Sequence, residues 1–206
     1  MNLQLLTDAT ADPVTLEEMK QHIRLSTADT SEDAILSAYI KTASTMAAHK
    51  TGRAFMPQQW KLYLDSFPGG TEAITIPFTP LSSSATDVVI TFNEDASGDS
   101  TTLASTAYTI DYVSEPPKIY PSYGNDWPDN VRDIPNAVQV VFVAGYPLTS
   151  SSGASTKIEA VKSWIKIRAA GAYEYREPII EGKIVTELKR DFVDGLLDPF
   201  IVPKDL

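Results

Sequence analysis

Cysteine is absent from the 206 residues, which excludes disulfides and zinc–thiolate sites and fits assembly in a reducing compartment. Histidine is nearly absent: His22 and His49 stand on different predicted helices, without the i, i+4 spacing or the ordered carboxylates of a metal site. Both read as surface or interface residues. No apolar run approaches the ~18 residues of a membrane span, and the opening Met-Asn-Leu-Gln-Leu-Leu-Thr-Asp has neither the basic start nor the long apolar stretch of a secretory signal. Basic side chains are scarce, 17 against 27 acidic, for a net charge of −10. A chain so acidic does not hold nucleic acid by neutralising phosphates. Catalytic signatures are missing as well. There is no Gly-x-Ser-x-Gly elbow and no Gly-x-Gly-x-x-Gly. Gly182-Lys183 lacks the hydroxyl and upstream glycine of a phosphate loop, and the serines at 82–84 and 150–152 read as loop chemistry.

What is present falls into three zones. Hydrophobic residues make up 43% of the chain, enough for a buried core. In the first zone, Thr15-Leu-Glu-Glu18 has the form of a capping box and predicts a short helix over about 15–24. A second helix is expected from Thr30 or Ser31, with Ile35, Leu36, Tyr39, Ile40, Ala43, Met46 and Ala47 on one stripe and Gly52 as its C-terminal cap. From about 54 to 146 the period changes to two. Trp60, Leu62 and Leu64 alternate with polar neighbours, as do Val88, Ile90 and Phe92, then Tyr108, Ile110 and Tyr112; Ala137–Ala144 is the most β-branched run. Five or so short strands predict a small antiparallel sandwich or barrel. The third zone, 155–177, returns to helical spacing through Ile158, Val161, Ile165, Ala169 and Ala172.

These zones define an α+β chain. Helical segments 1–53 and 155–177 form a core of about three helices, the β-module 54–146 is inserted between them, and 178–206 is an extended C-terminal tail.

Candidate chemistry is sparse. Asn93-Glu-Asp95-Ala-Ser97-Gly98-Asp99 imitates the first half of a calcium loop, but Ala104 stands where the bidentate Glu belongs, and a hairpin turn explains the same residues. The loop Ile119–Trp127 offers Tyr120, Tyr123 and Trp127 as a sugar-stacking surface, the basis of an alternative carbohydrate-binding or adhesin-like reading; a loop packed down by its own aromatics is the plainer one. Asp126 with Asp129, or Glu94 with Asp95, are conceivable acid–base pairs, though solvated loop charges are far commoner. No cofactor or metal is called for.

Charge distribution is more informative. From Leu62 to Pro117 there is no Lys or Arg, while eight acids occur, among them Glu94, Asp95 and Asp99. The third helix is basic, with Lys157, Lys162, Lys166, Arg168 and Arg176. A subunit polarised in this way can pack head-to-side into a ring, and an acidic face can line a passage that DNA traverses without sticking. Lys162, Lys166, Arg168, Glu94, Asp95 and Asp99 are therefore the ring-contact or channel candidates. Plain solubility charge remains the alternative.

Several segments, taken in order, are similar to one known family. Val14-Thr-Leu-Glu-Glu-Met-Lys-Gln-His-Ile-Arg24, the acidic Ser31-Glu-Asp33, the helix ending Thr51-Gly-Arg53-Ala-Phe55, Gln58-Gln-Trp60, the loop Ile119–Pro128, Val138–Tyr146 and Phe192-Val-Asp-Gly-Leu-Leu-Asp-Pro-Phe200 together resemble phage head-to-tail connector (adaptor) proteins in their longer, β-insert-bearing form. The resemblance implies a structural virion protein of the neck, made in the host cytoplasm. It would form a ring, usually of twelve copies, beneath the portal, extending the DNA channel and presenting a platform to the head-closure (stopper) or tail protein, with no membrane contact. It also implies that the C-terminal segment docks on the portal, and the matching apolar residues are Phe192, Leu196, Leu197 and Phe200. A tail with little core of its own to join is expected to order on binding.

Overall fold

The structure is a computed structural model that describes residues 2–84, 87–95, 98–147, 158–175 and 193–203. These divide into two compact units. One comprises residues 1–9, 57–146 and 202–206; the other comprises 10–56 and 147–201.

The second unit is helical. Helix α1 (Leu16–His22) begins with the capping box as expected: the Glu18 N–H donates to Thr15 Oγ1 at 3.1 Å, and the Thr15 N–H donates to Glu18 Oε2 at 2.9 Å. Helix α2 (Asp33–Thr51) starts two to three residues later than its sequence suggests and ends at Gly52, whose φ of 70° is the left-handed conformation that glycine adopts without penalty. Helix α3 spans Glu159–Glu174. Leu36, Ile40, Ala43 and Ala47 of α2 are buried, as are Val161, Trp164, Ile165 and Ala169 of α3, Met19 of α1 and Val14 just ahead of it. Each large side chain fully removed from water contributes on the order of 2 kcal/mol. Met46 departs from its expected stripe and stays 47% exposed.

Among the described residues the other unit holds eight strands: β1 (Asn2–Thr7), β2 (Gln58–Leu64), β3 (Ile74–Thr75), β4 (Val88–Asn93), β5 (Ser100–Thr102), β6 (Tyr108–Asp111), β7 (Lys118–Pro121) and β8 (Val138–Ala144). They form an antiparallel five-stranded sheet ordered β1-β2-β8-β4-β5 and an antiparallel three-stranded sheet ordered β3-β7-β6. Strand β8 lies at the centre of the larger sheet, and its burial alternates as the β-branched run predicted, with Val138, Val140, Phe142 and Ala144 inside. The sheets touch where the Tyr108 hydroxyl of β6 donates to the Val88 carbonyl of β4 at 2.9 Å, and Phe67, in the connection after β2, meets Phe92 of β4 edge-on at 5.6 Å. The larger sheet does not close into a barrel: β1 and β5 are its two edges.

One expectation is overturned outright. Residues 2–7 are not part of the helical segment 1–53 but a strand paired with β2 in the register Leu3↔Leu62 and Leu5↔Trp60. Alternation is hard to see in Asn-Leu-Gln-Leu-Leu-Thr because a bulge between Leu5 and Thr7 breaks the period.

Candidate functional site

Two surfaces emerge from the placement of the predicted residues: the C-terminal segment on the helices, and the acidic turn on the β unit.

The C-terminal segment is a folded part of the helical unit. Val193 and Leu197 are buried at 4% and 2% exposure, and Phe200 packs edge-on against Phe55 with ring centres 6.2 Å apart. Arg53, the residue after the glycine cap, donates from Nε to the Phe200 carbonyl at 2.6 Å. Asp194 gathers the polar contacts. It accepts from Trp164 Nε1 at 3.0 Å and from Arg168 Nη2 at 2.7 Å, and pairs with Lys50 Nζ at 3.1 Å. Both cations also lie over the Trp164 ring, Arg168 at 5.3 Å and Lys50 at 5.9 Å from its centre. The Arg168 hydrogen bond, then those from Trp164 and Lys50, hold the Asp194 carboxyl far below the usual carboxylate range against the opposing pull of burial.

This corrects the expectation of a tail with little core to join. Leu197 is part of the core; Leu196 and Phe200 are half-buried, and Ile201 is 49% exposed. Phe192 lies outside the described residues. Asp194, Trp164, Lys50 and Arg53 form the seat and were not singled out from the sequence. The one available signal was Trp164 with Arg168 one helical turn on; nothing local marks a lone aspartate as their partner.

The basic helix is likewise less available than its charge suggests. Lys162 is 8% exposed, and its ammonium pairs with Glu18 at 2.5 Å and with Glu159 at 3.8 Å. Burial pushes the Glu18 carboxyl up, but the Lys162 and Thr15 hydrogen bonds outweigh it, and the net shift is downward. Arg168 belongs to Asp194. Lys166 is half-buried; with partial burial of the ring, its charge lowers the pKa of His22, which stands on α1 as an exposed residue. A further cation escaped sequence reading. Lys20 is 3% exposed, donates to the Thr27 and Asp29 carbonyls at 3.3 and 2.6 Å, and pairs with Asp33 at 2.5 Å. It ties the α1–α2 connection to the start of α2.

On the β unit the acidic motif is a hairpin turn. Asn93 pairs with Ser100, the Glu94 N–H donates to the Asp99 carbonyl at 3.0 Å, and the Gly98 N–H to the Glu94 carbonyl at 2.8 Å. Gly98 sits at φ 72°, beneath the Arg132 guanidinium. Asp95 and Asp99 are exposed, and Glu94 half-buried.

The aromatic loop does not make a stacking surface. Trp127 is 6% exposed, lies parallel to Phe67 with centres 5.1 Å apart, and donates from Nε1 to the Glu72 carbonyl at 2.7 Å. Tyr120 belongs to β7, and Tyr123 stands fully exposed. Asp126 lines an open depression of about 380 Å³ with Ser122 and Asn125, but no second carboxylate lines it.

Comparison with known proteins gives this arrangement its context. No curated protein matches the chain. Among solved structures, a chain from the neck of an empty gene transfer agent (GTA) particle, computed with C6 symmetry, superposes with a TM-score of 0.73 at 22% identity, covering 100% of this chain and 98% of its own. A chain from the neck of the native GTA particle, computed with C12 symmetry, gives 0.73 at 20% identity with the same coverage. The virion of the native particle gives 0.70 at 21%. Residues 13–121, more than half of the sequence, match the model of the phage gp6-like head-tail connector proteins, and the chain belongs to that family.

Proposed function

We propose that this chain is a ring subunit of the virion neck. Its copies surround the channel between head and tail, meet the portal through the C-terminal segment, and offer the next head-closure or tail protein a platform. The role is structural rather than catalytic. The observation that carries this reading is the family match, supported by a fold that follows chains of a GTA neck along their whole length.

The surfaces described above suit the parts of that role. Leu196, Phe200 and Ile201 present apolar area on a segment already held in place by Asp194 and Leu197, so docking there would carry a small ordering cost. Asp95 and Asp99 at the β4–β5 turn carry exposed negative charge, which repels phosphates within the ~8–10 Å over which salt leaves charges visible. Double-stranded DNA then slides past without being held. The glycan-binding alternative is not favoured, because Trp127 is spent on Phe67.

The test is complementation. Particles lacking the chain should lose packaged DNA and fail to gain tails, and the supplied protein should restore both. If such particles keep their DNA and acquire tails without it, the reading fails. Ile201→Asp combined with Leu196→Asp should leave a folded protein that no longer attaches to portal-bearing heads.

A further inference from the structure

Strand β1 is the edge of the five-stranded sheet, and among the described residues no strand pairs with its outer side. All six of its residues, Asn2–Thr7, are exposed, including Leu3 at 38%, Leu5 at 40% and Leu6 at 41%. The strand contains no charged residue and no proline. Soluble proteins normally protect such an edge with lysines, prolines, short length or a covering element, because its outward N–H and C=O groups template pairing with another chain. The other edge, β5, follows the usual rule: it is three residues long and follows the acidic turn.

We infer that the outer edge of β1 is where a second copy of this chain docks, adding its backbone to the sheet as the contact between neighbours in the ring. This inference rests on the ring reading above, which supplies the occupant. Charge points to the same strip. Two copies carrying −10 each repel over most of their surfaces, and two of the three basic groups of α3 that would have offset this are committed within their own unit, Lys162 to Glu18 and Arg168 to Asp194. An uncharged strand with half-exposed leucines brings like-charged copies together at least electrostatic cost. Main-chain hydrogen bonds supply affinity, and the leucines supply apolar area.

The test compares the full chain with the double variant Leu3→Lys, Leu5→Lys by sedimentation over a wide concentration range, with thermal melting as the control for folding. The unchanged chain should associate beyond a dimer. The variant should remain monomeric at the same concentrations and still melt as a folded protein, since Leu3 and Leu5 each keep more than a third of their surface in water. Three results would overturn the inference: equal association of the two proteins, a monomer at every concentration for the unchanged chain, or a species that stops at two copies, because β1 on β1 closes a pair and leaves nothing for a third. If the variant unfolds, Leu5→Lys alone, read the same way, decides. Supplying both proteins to particles that lack the chain separates this inference from the connector reading. Restoration by the unchanged chain alone supports both. Equal restoration by both proteins sinks the edge contact and leaves the connector. Restoration by neither sinks the connector reading, and sedimentation then decides the edge by itself.

Discussion

The helical unit and the β unit use charge in opposite ways. In the helical unit, Lys20, Lys162, Arg168 and Asp194 are structural parts: each is buried or half-buried and held by a partner from another element or connection. In the β unit, the core is aromatic and β-branched, and Asp95 and Asp99 are exposed. Ion pairs are therefore joints in the helical unit, whereas the acids of the β4–β5 turn lie at the surface of the other. Net charge along a sequence shows how much charge there is, but not which of the two it is.

This contrast can be broken by mutation. The largest effect should come from the aromatic core of the β unit: Trp127→Ala removes a ring stacked on Phe67 and leaves the Glu72 carbonyl without its donor, at a cost of about 3–5 kcal/mol in denaturant unfolding. Tyr123→Ala in the same loop should stay within about 0.5 kcal/mol, because nothing covers Tyr123. Next is Lys20→Met, which strands Asp33 and two carbonyls. Because Asp33 retains some solvent, the expected loss is about 2–3 kcal/mol, below the upper range for a fully buried pair. A small effect would show that Lys20 is surface-like after all.

Asp194→Asn should cost about 1 kcal/mol at neutral pH, since the carboxylate is one-third exposed and its partners are partly solvated. Its pH dependence is the sharper readout. The folded carboxyl titrates below its unfolded value, so its contribution is complete above the usual carboxylate range and is lost as pH falls below that range. The unchanged protein should therefore lose stability more steeply than the variant below about pH 4; parallel acid limbs would remove Asp194 as an anchor. Smallest of all, Asp95→Asn should shift stability by no more than about 0.5 kcal/mol, while raising retention on a polyanion column if these charges do repel phosphates.

Legibility followed the range of the forces involved. Features decided within a few residues were plain: the Thr15–Glu18 capping box, the Gly52 cap, the alternation of β8 and the hairpin turn at 93–99. Features decided by partners far along the chain were not. Strand β1 exists because β2 pairs with it across more than fifty residues, and its own bulged period hides it. The basic run of α3 looked like a contact face because Glu18 and Asp194, its partners, stand 144 and 26 residues away. Trp127 looked available because Phe67 lies in another part of the sequence.

The grip of Arg53 on residue 200 has a consequence for how this molecule can drift. The guanidinium takes hold of a main-chain carbonyl, a group that every amino acid offers. The anchor is thus indifferent to the identity of the side chain above it. Position 200 can change from one aromatic to another, or to something smaller, and the closing segment will still be fastened to the end of α2. What is displayed there can then change while the fastening beneath stays as it is.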